Sequence, residues 1–376
     1  MAENARMRIA AFCVGLFLSV GALAAESVLA PFVRREELAG AVALVANKEK
    51  VLSVTAVGFA DIEAKKPMSP DAVFWIASQS KGITAAAVMM LVDEGKLSLD
   101  DPVEKYLPEF KDQKVAAGKG APVDRVRSIT IRDLLSHVSG LPFRSPEEQP
   151  TLDGLPLAVA VKTYAKAPLI TQPGARYQYS NAGINTAGRV LEVVSGQSYE
   201  DFMDKRLFGP LGMTDTTFWP DAGQVARLAK TYKPDATKQK LVPGNLAQLQ
   251  ADLTDRSHRF PMPAGGLFST AKDVSLFCRM LLNGGELDGR RYLSLASVQA
   301  LSARQTPKDL KESYGLGFMV GPDFFGHGGA QATGMEIRPA EGLVLVWMVQ
   351  HQGFPGKGGQ AQGEFKKAAV KEFGGK

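Results

Sequence analysis

Val-rich, strand-forming runs stand at both ends of this 376-residue chain, and a stretch of different texture lies between them. Ala41-Val42-Ala43-Leu44-Val45 and Val51 to Val57 are apolar runs broken by the polar turn Asn47-Lys48-Glu49-Lys50, a pattern that predicts an antiparallel hairpin. Toward the other end, Tyr314 to Val320, Ala332 to Arg338 and Leu343 to Gln350 return to strand patterns, and Glu364 to Phe373 reads as a terminal helix. Residues 80–255 read as helices and loops, with helices at Ala85 to Glu94 (closed by Gly95), Arg132 to Ser136, Ala182 to Ser195 and Tyr199 to Leu207. The arrangement that accommodates all of this is an α+β fold: one antiparallel sheet built from the two chain ends, flanked by helices, with a mainly helical domain inserted. Residues 25–75 and 260–376 would form the sheet domain and residues 76–259 the inserted one. Lys111 to Arg127 and Phe143 to Leu155, rich in Gly, Pro and charge, read as surface loops bordering the insertion.

Composition narrows the class without naming it. Hydrophobic residues at 45% and charged ones at 22% exclude a disordered, collagen-like or coiled-coil chain. Lys+Arg 44 against Asp+Glu 39, scattered rather than gathered into a tract, gives no reason to expect nucleic acid as a partner. At the N-terminus Arg6 and Arg8 precede the apolar run Ile9 to Ala22, and Ala22-Leu23-Ala24 supplies the small-x-small pattern of a signal-peptidase site. Residues 1–24 are therefore expected to be a secretory signal peptide cleaved near Ala24, which makes the mature protein periplasmic or secreted. The run is shorter than the ~20 apolar residues that span a bilayer, so no stable membrane span is expected after cleavage. Cys13 leaves with the leader, and Cys278, inside the apolar stretch Val274 to Leu282, reads as a buried core thiol.

Chemistry-bearing residues gather at three places. In Phe74-Trp75-Ile76-Ala77-Ser78-Gln79-Ser80-Lys81 an aromatic, strand-like segment runs into Ser78, Lys81 follows three residues on, and a helix-forming sequence comes after. Positions i and i+3 share a helix face, so the Lys81 amine can approach the Ser78 hydroxyl, and the free N–H groups of a helix start favour an oxyanion nearby. Alone the pattern recurs by chance, its plain alternative being a capping serine with an exposed lysine. Tyr177-Gln178-Tyr179-Ser180-Asn181 directly precedes a second helix and sets a phenol and an amide on one side of a short extended segment. The plain alternative there is a core tyrosine beside a helix-capping asparagine. In Gly326-His327-Gly328-Gly329-Ala330, adjacent glycines leave a strand edge open to a substrate backbone, the alternative being a tight turn with a surface histidine.

Together with Ile131 to Leu141 (IRDLLSHVSGL), Leu207 to Met213 (LFGPLGM) and Pro263 to Thr270 (PAGGLFST), these elements resemble the serine penicillin-recognising superfamily. The resemblance is to the class C β-lactamase-like group, which also holds secreted DD-peptidases, D-amino-acid-specific aminopeptidases and family VIII carboxylesterases, and it spans nearly the whole chain after the leader. It implies a β-lactamase/transpeptidase-like fold and a serine hydrolase working through an acyl-enzyme. By position, Ser78 would be the acylated nucleophile, Lys81 its partner in proton transfer, Tyr179 the general base or proton shuttle, and Asn181 a substrate-orienting amide. His327 stands where the usual Lys-Thr-Gly has its Lys, and Gly328, Gly329 and Ala330 would complete that substrate-binding edge. The oxyanion hole would be the backbone N–H groups of Ser78 and Ala330. Tyr and Lys have reference pKa values of roughly 10 and 10.4, so each has to be shifted to act near neutrality; which of Lys81 and Tyr179 holds the proton at rest is left open.

The resemblance implies a small-molecule ester, an amide or a D-amino-acid peptide as substrate. Histidine, with a reference pKa of roughly 6.5, is mostly neutral at neutral pH, so a β-lactam carboxylate loses its fixed positive partner. Esters need no such anchor and are expected first. DD-carboxypeptidase, D-aminopeptidase or weak β-lactamase activity is the alternative. A non-catalytic peptidoglycan-binding protein is a further one, against which intact Ser78, Lys81 and Tyr179 weigh. No Gly-x-Ser-x-Gly elbow is present, which disfavours an α/β-hydrolase. His137, His258, His327 and His351 show no metal-ligand spacing, so neither a metal nor another cofactor is expected; His137 reads as structural.

Overall fold

The computed structural model describes residues 20–375, so the basic segment and most of the apolar run of the expected leader lie outside the described residues. Helix α1 (Val20–Arg34) comes first. Strands β1 (Gly40–Ala46) and β2 (Val51–Asp61) form the expected hairpin, with Val42 opposite Ala56 and Leu44 opposite Val54. Its turn is built by Asn47, whose side-chain oxygen accepts from the N–H groups of Glu49 (2.9 Å) and Lys50 (2.8 Å). Strand β3 (Lys66–Pro67) closes one edge. The other chain end supplies Met319–Val320, Phe325–Gly328, Gly334–Arg338 and Leu343–Met348, which lie in that order and join β1, β2 and β3 in one antiparallel seven-stranded sheet.

The centre of the sheet is β1 against Leu343–Met348, with Leu44 opposite Val346. Side chains alternate across a strand, so Val42, Leu44 and Ala46 enter the main core while Ala41, Ala43 and Val45 enter a second one beneath α1 and the C-terminal helix Ala361–Phe373. A strand buried on both faces has no polar alternation, which is why β1 reads as an unbroken apolar run. The helix Ala271–Leu282 packs on the inner face. Cys278 is buried there, and burial pushes its thiol pKa up, consistent with a core role.

The main core continues from the sheet into the helices α2 (Ser80–Asp93), α3 (Ile131–Leu135), α4 (Leu157–Lys166) and α5 (Asn181–Ser195). Helix α2 is buried on almost every side, as its run of small and apolar residues requires. A Cβ on Gly82 would sit 2.5 Å from the Phe318 ring. This helix starts at Ser80 rather than at the expected Ala85. Ser80 and Gly82 are weak helix formers, but the Ser80 hydroxyl donates to the Ala77 carbonyl (2.7 Å) and accepts from the Leu267 N–H (3.3 Å), and these contacts override propensity.

Three further expectations change. The strand expected from Tyr314 to Val320 shrinks to Met319–Val320, because the Gly315 N–H turns back onto the Phe318 carbonyl (2.8 Å). The helix expected from Tyr199 to Leu207 is α-helical only to Met203 and then widens into a π-helical turn, Asp204–Phe208. The Phe143 to Leu155 segment is not simply a surface loop: Ser145, Glu148, Leu152 and Asp153 are buried in it. Glu148 and Asp153 find interior partners outside the segment, in Tyr164 and Arg259.

Candidate active site

Strand β4 (Phe74–Trp75) pairs with Phe268–Ser269 and delivers the chain to Ala77, a non-glycine residue held in the left-handed region at φ +46°. That conformation is strained, and it turns the chain into a single 3-10 turn, Ala77–Gln79, that runs on into α2. Ser78 therefore sits at the head of the helix, where its backbone N–H is among the donors that a helix start leaves without an intrahelical acceptor. Its side chain is partly exposed, while its neighbours Ala77, Gln79, Ser80 and Lys81 are buried.

Lys81 is 0% exposed. Its Nζ lies 3.0 Å from Ser78 Oγ and donates to the Ala264 carbonyl at 2.7 Å. Burial pushes its pKa well below the ordinary lysine value. The amine also stands 4.7 Å from the centre of the Tyr179 ring. The Ala264 carbonyl is the middle one of three in a row that serve this region: Pro263 accepts from the Thr84 hydroxyl (2.7 Å) and Gly265 from Trp75 Nε1 (2.7 Å).

Tyr179 and Asn181 lie at the start of α5. Ser180, not Asn181, caps that helix: its hydroxyl accepts from the Gly183 N–H at 2.9 Å. Asn181 is free of the capping duty and is buried with no protein partner for its side-chain oxygen. Burial pushes the Tyr179 phenol up to about 12, partly offset by a hydrogen bond with Ser78. At neutral pH it keeps its proton.

The third element closes the group from the sheet. Gly329 follows the strand Phe325–Gly328 so closely against the turn that carries Ser78 that a Cβ there would meet the Ile76 carbonyl at 2.5 Å and Thr333 Oγ1 at 2.2 Å. Gly328 is half-buried and Ala330 is exposed in the turn that follows. His327 is buried, with Nδ1 2.6 Å from the Gly328 carbonyl and Nε2 2.9 Å from the Tyr314 hydroxyl. A carbonyl can only accept, so Nδ1 carries the proton and Nε2 accepts from Tyr314. Tyr179 Oη is 3.5 Å from the same Nε2. Burial, and next the Lys81 charge, push the His327 pKa to about 3.

All eight candidate residues thus fall on three facing segments. Two further groups have roles that no residue type announces. Tyr314, fully buried and in ring contact with His137, Tyr177 and His327, donates to the Nε2 that the Gly328 carbonyl leaves unprotonated. Ala264, inside the quoted Pro263 to Thr270 motif, gives Lys81 its backbone acceptor. His137, at φ +62°, braces the second element: its carbonyl accepts from the Gln178 N–H (2.7 Å) and its Nδ1 from the Ser180 N–H (3.2 Å). Among the described residues no group of three or more His, Cys, Asp or Glu is arranged to hold a metal ion.

The Beta-lactamase family model matches residues 25–366. The chain belongs to the Beta-lactamase family. Within that family it is 35% identical over 355 residues to protein Rv1367c of Mycobacterium tuberculosis, covering 84% of this chain and 86% of that one. To esterase EstB of Burkholderia gladioli it is 37% identical over 215 residues, 54% of this chain and 53% of the esterase. Its fold is shared with the solved structure of EstCE1, described as a hydrolase with promiscuous acyltransferase activity, at a TM-score of 0.77 and 24% identity over 93% of this chain and 98% of that one. The antiparallel sheet with flanking helices is accordingly the β-lactamase/transpeptidase-like fold, and the chain is a Beta-lactamase-family hydrolase with esterase relatives.

Proposed function

We propose that this protein is an exported serine esterase that works through an acyl-enzyme on Ser78 and prefers uncharged, short-chain esters. The observation that carries the reading is the fully buried Lys81 amine, 3.0 Å from Ser78 Oγ and depressed in pKa by burial. A neutral amine offers the lone pair that a serine hydroxyl needs. Ser78 Oγ attacks the ester carbonyl carbon as its proton passes to Lys81 Nζ, and the developing oxyanion meets the N–H groups of Ser78 and Ala330. The ammonium that forms faces the Tyr179 ring, which favours a cation. Collapse of the tetrahedral intermediate breaks the bond to the alcohol oxygen, which leaves with a proton from the Tyr179 phenol, itself reprotonated from Lys81. Water then enters by the same steps reversed and releases the acid.

The preference for uncharged substrates rests on His327. As the Nδ1–H tautomer, with Nε2 already accepting, it offers no positive charge to a substrate carboxylate. β-Lactams and peptides ending in a carboxylate lose that attraction. The exported location rests on Arg6, Arg8, the Ile9 to Ala22 run and Ala22-Leu23-Ala24.

The test is turnover of p-nitrophenyl butyrate, nitrocefin and a D-Ala-D-Ala peptide by the protein and by Ser78→Ala, with intact mass after a fluorophosphonate probe. The expected result is ester turnover highest of the three, lost roughly 10³-fold or more in the variant, and one adduct on Ser78. Ester turnover surviving in Ser78→Ala overturns the reading; preferred turnover of the peptide or of nitrocefin replaces esterase by peptidase or lactamase.

A further inference from the structure

Asn185 belongs to no motif that the sequence brought forward, yet it is buried and every polar atom of its amide is engaged. It lies one helical turn beyond Asn181 on α5 and so faces the same side. Its Oδ1 accepts from the Ala264 N–H at 3.0 Å, and its Nδ2 donates to the Tyr164 hydroxyl at 3.0 Å. Tyr164 in turn donates to Glu148, whose other oxygen accepts from the Ser145 N–H at 2.8 Å. A carboxylate only accepts, so the line has one polarity: Tyr164 must give its proton to Glu148, its oxygen must accept from Asn185, and the Asn185 carbonyl must point at Ala264.

The far end of this line is Lys81. Ala264 receives Asn185 at its N–H and Lys81 at its carbonyl, so one residue's backbone joins the two side chains. We propose that Asn185 is a positioning residue for Lys81: it fixes Ala264, whose carbonyl holds one N–H of the amine and thereby aims the remaining lone pair at Ser78. This rests on the reading of Lys81 as the base. The neighbouring carbonyls of Pro263 and Gly265 are held by Thr84 and Trp75, and the N–H groups of Gly265 and Gly266 both return to the Met262 carbonyl. Asn185 is therefore the side chain that settles the N–H of the middle residue. Without it a buried donor is orphaned, which the turn relieves by rotating Ala264 and carrying its carbonyl off the amine.

The titratable groups facing Lys81 are Tyr179 from the start of α5, His137 from the turn after α3, and His327 from the sheet. Its two hydrogen-bond partners, Ser78 and Ala264, are uncharged. A carboxylate at position 185 would be the nearest negative charge by that route. Asn185→Asp keeps the acceptor for Ala264, gives up the donor to Tyr164 and adds that charge; Asn185→Leu removes both hydrogen bonds at similar volume.

Two measurements test this. Ester kinetics per fluorophosphonate-titrated site should show kcat about tenfold lower in Asn185→Leu with KM within about twofold, the signature of a lost transition-state contact. The Lys81 side-chain resonance, followed by NMR against pH, should titrate about one unit or more higher in Asn185→Asp, as a nearby negative charge favours the ammonium. A kcat per site in Asn185→Leu equal to the parent's, or a Lys81 midpoint unmoved in Asn185→Asp, overturns the proposal. The NMR titration needs no turnover, so it judges Asn185 even where the Ser78 reading fails; loss of probe labelling and turnover in the parent would count against that reading alone.

Discussion

Lys81 and Arg259 are both buried basic side chains, at 0% and 2% exposure, and they are treated in opposite ways. Arg259 lies against Asp153, Nε to Oδ2 at 2.7 Å, and gives further protons to the carbonyls of Phe218 and Leu253. Asp153 completes the arrangement by accepting from the Gln250 N–H at 3.0 Å. Lys81 has a hydroxyl and one carbonyl, and no carboxylate bonded to it among the described residues. The pair is a clamp: it fastens the Phe143 to Leu155 segment to residues 248–260, with the Leu152 N–H on the Gln248 carbonyl and the Phe260 N–H on the Asp153 carbonyl (2.8 and 2.9 Å). On the proposed reading the unpaired amine is a reagent, because burial without a counter-charge lowers its pKa and disfavours the ammonium.

Removing the function of each of the two basic groups should therefore fail differently. Lys81→Met should cost roughly 10²–10⁴-fold in kcat while leaving the thermal midpoint unchanged or raised, since an unpaired amine is replaced by an apolar chain of similar length. Asp153→Ala should do the reverse. It strands the Arg259 charge and should cost about 3–5 kcal/mol of stability by chemical denaturation, with esterase activity per folded molecule retained. Equal losses of stability in the two variants would erase the distinction.

His351 sharpens the same contrast on a base away from Ser78. Its Nε2 accepts from the Ala39 N–H at 3.2 Å, its ring stacks on Phe354, and burial pushes its pKa to about 4. Below its unfolded value of roughly 6.5 the unfolded chain takes up a proton that the native state refuses, so stability falls as pH drops from 6.5 toward 4 and levels off below that. His351→Gln keeps an acceptor for Ala39 and removes the titration. Between pH 7 and pH 5 the parent should lose about 2 kcal/mol more than this variant in urea unfolding. Equal losses would mean that His351 does not titrate as an unpaired buried base.

How far these features were readable depends on how far apart their parts lie. The hairpin is local in cause, two apolar runs around Asn47, and was legible. Ser78 and Lys81 sit at helical spacing, and Tyr179, Asn181 and His327 each lie in a motif whose residue types suggest their use. The start of α2 was misread because Ser80 and Gly82 are suited to a helix only by what touches them, Leu267 and the Phe318 ring. Glu148 and Asp153 looked like loop charges because their partners, Tyr164 and Arg259, belong to other segments. Tyr314 was read as part of a strand, and nothing in its neighbourhood announces the imidazole that it meets.

The sheet joins chain ends that are made at very different times. β1 pairs with Leu343–Met348, roughly 300 residues later, so at 5–20 residues per second some 15–60 s separate the two strands on the ribosome. All seven residues of β1 are buried in the finished protein, and for that interval the edge of the strand that will bind Leu343–Met348 has no mate. The strand that carries His327 reaches β1 only through Gly334–Arg338 and Leu343–Met348. A chain cut short before Leu343 carries the His327 segment but lacks the strand that would fasten it to β1, and it leaves an apolar, unpaired edge exposed.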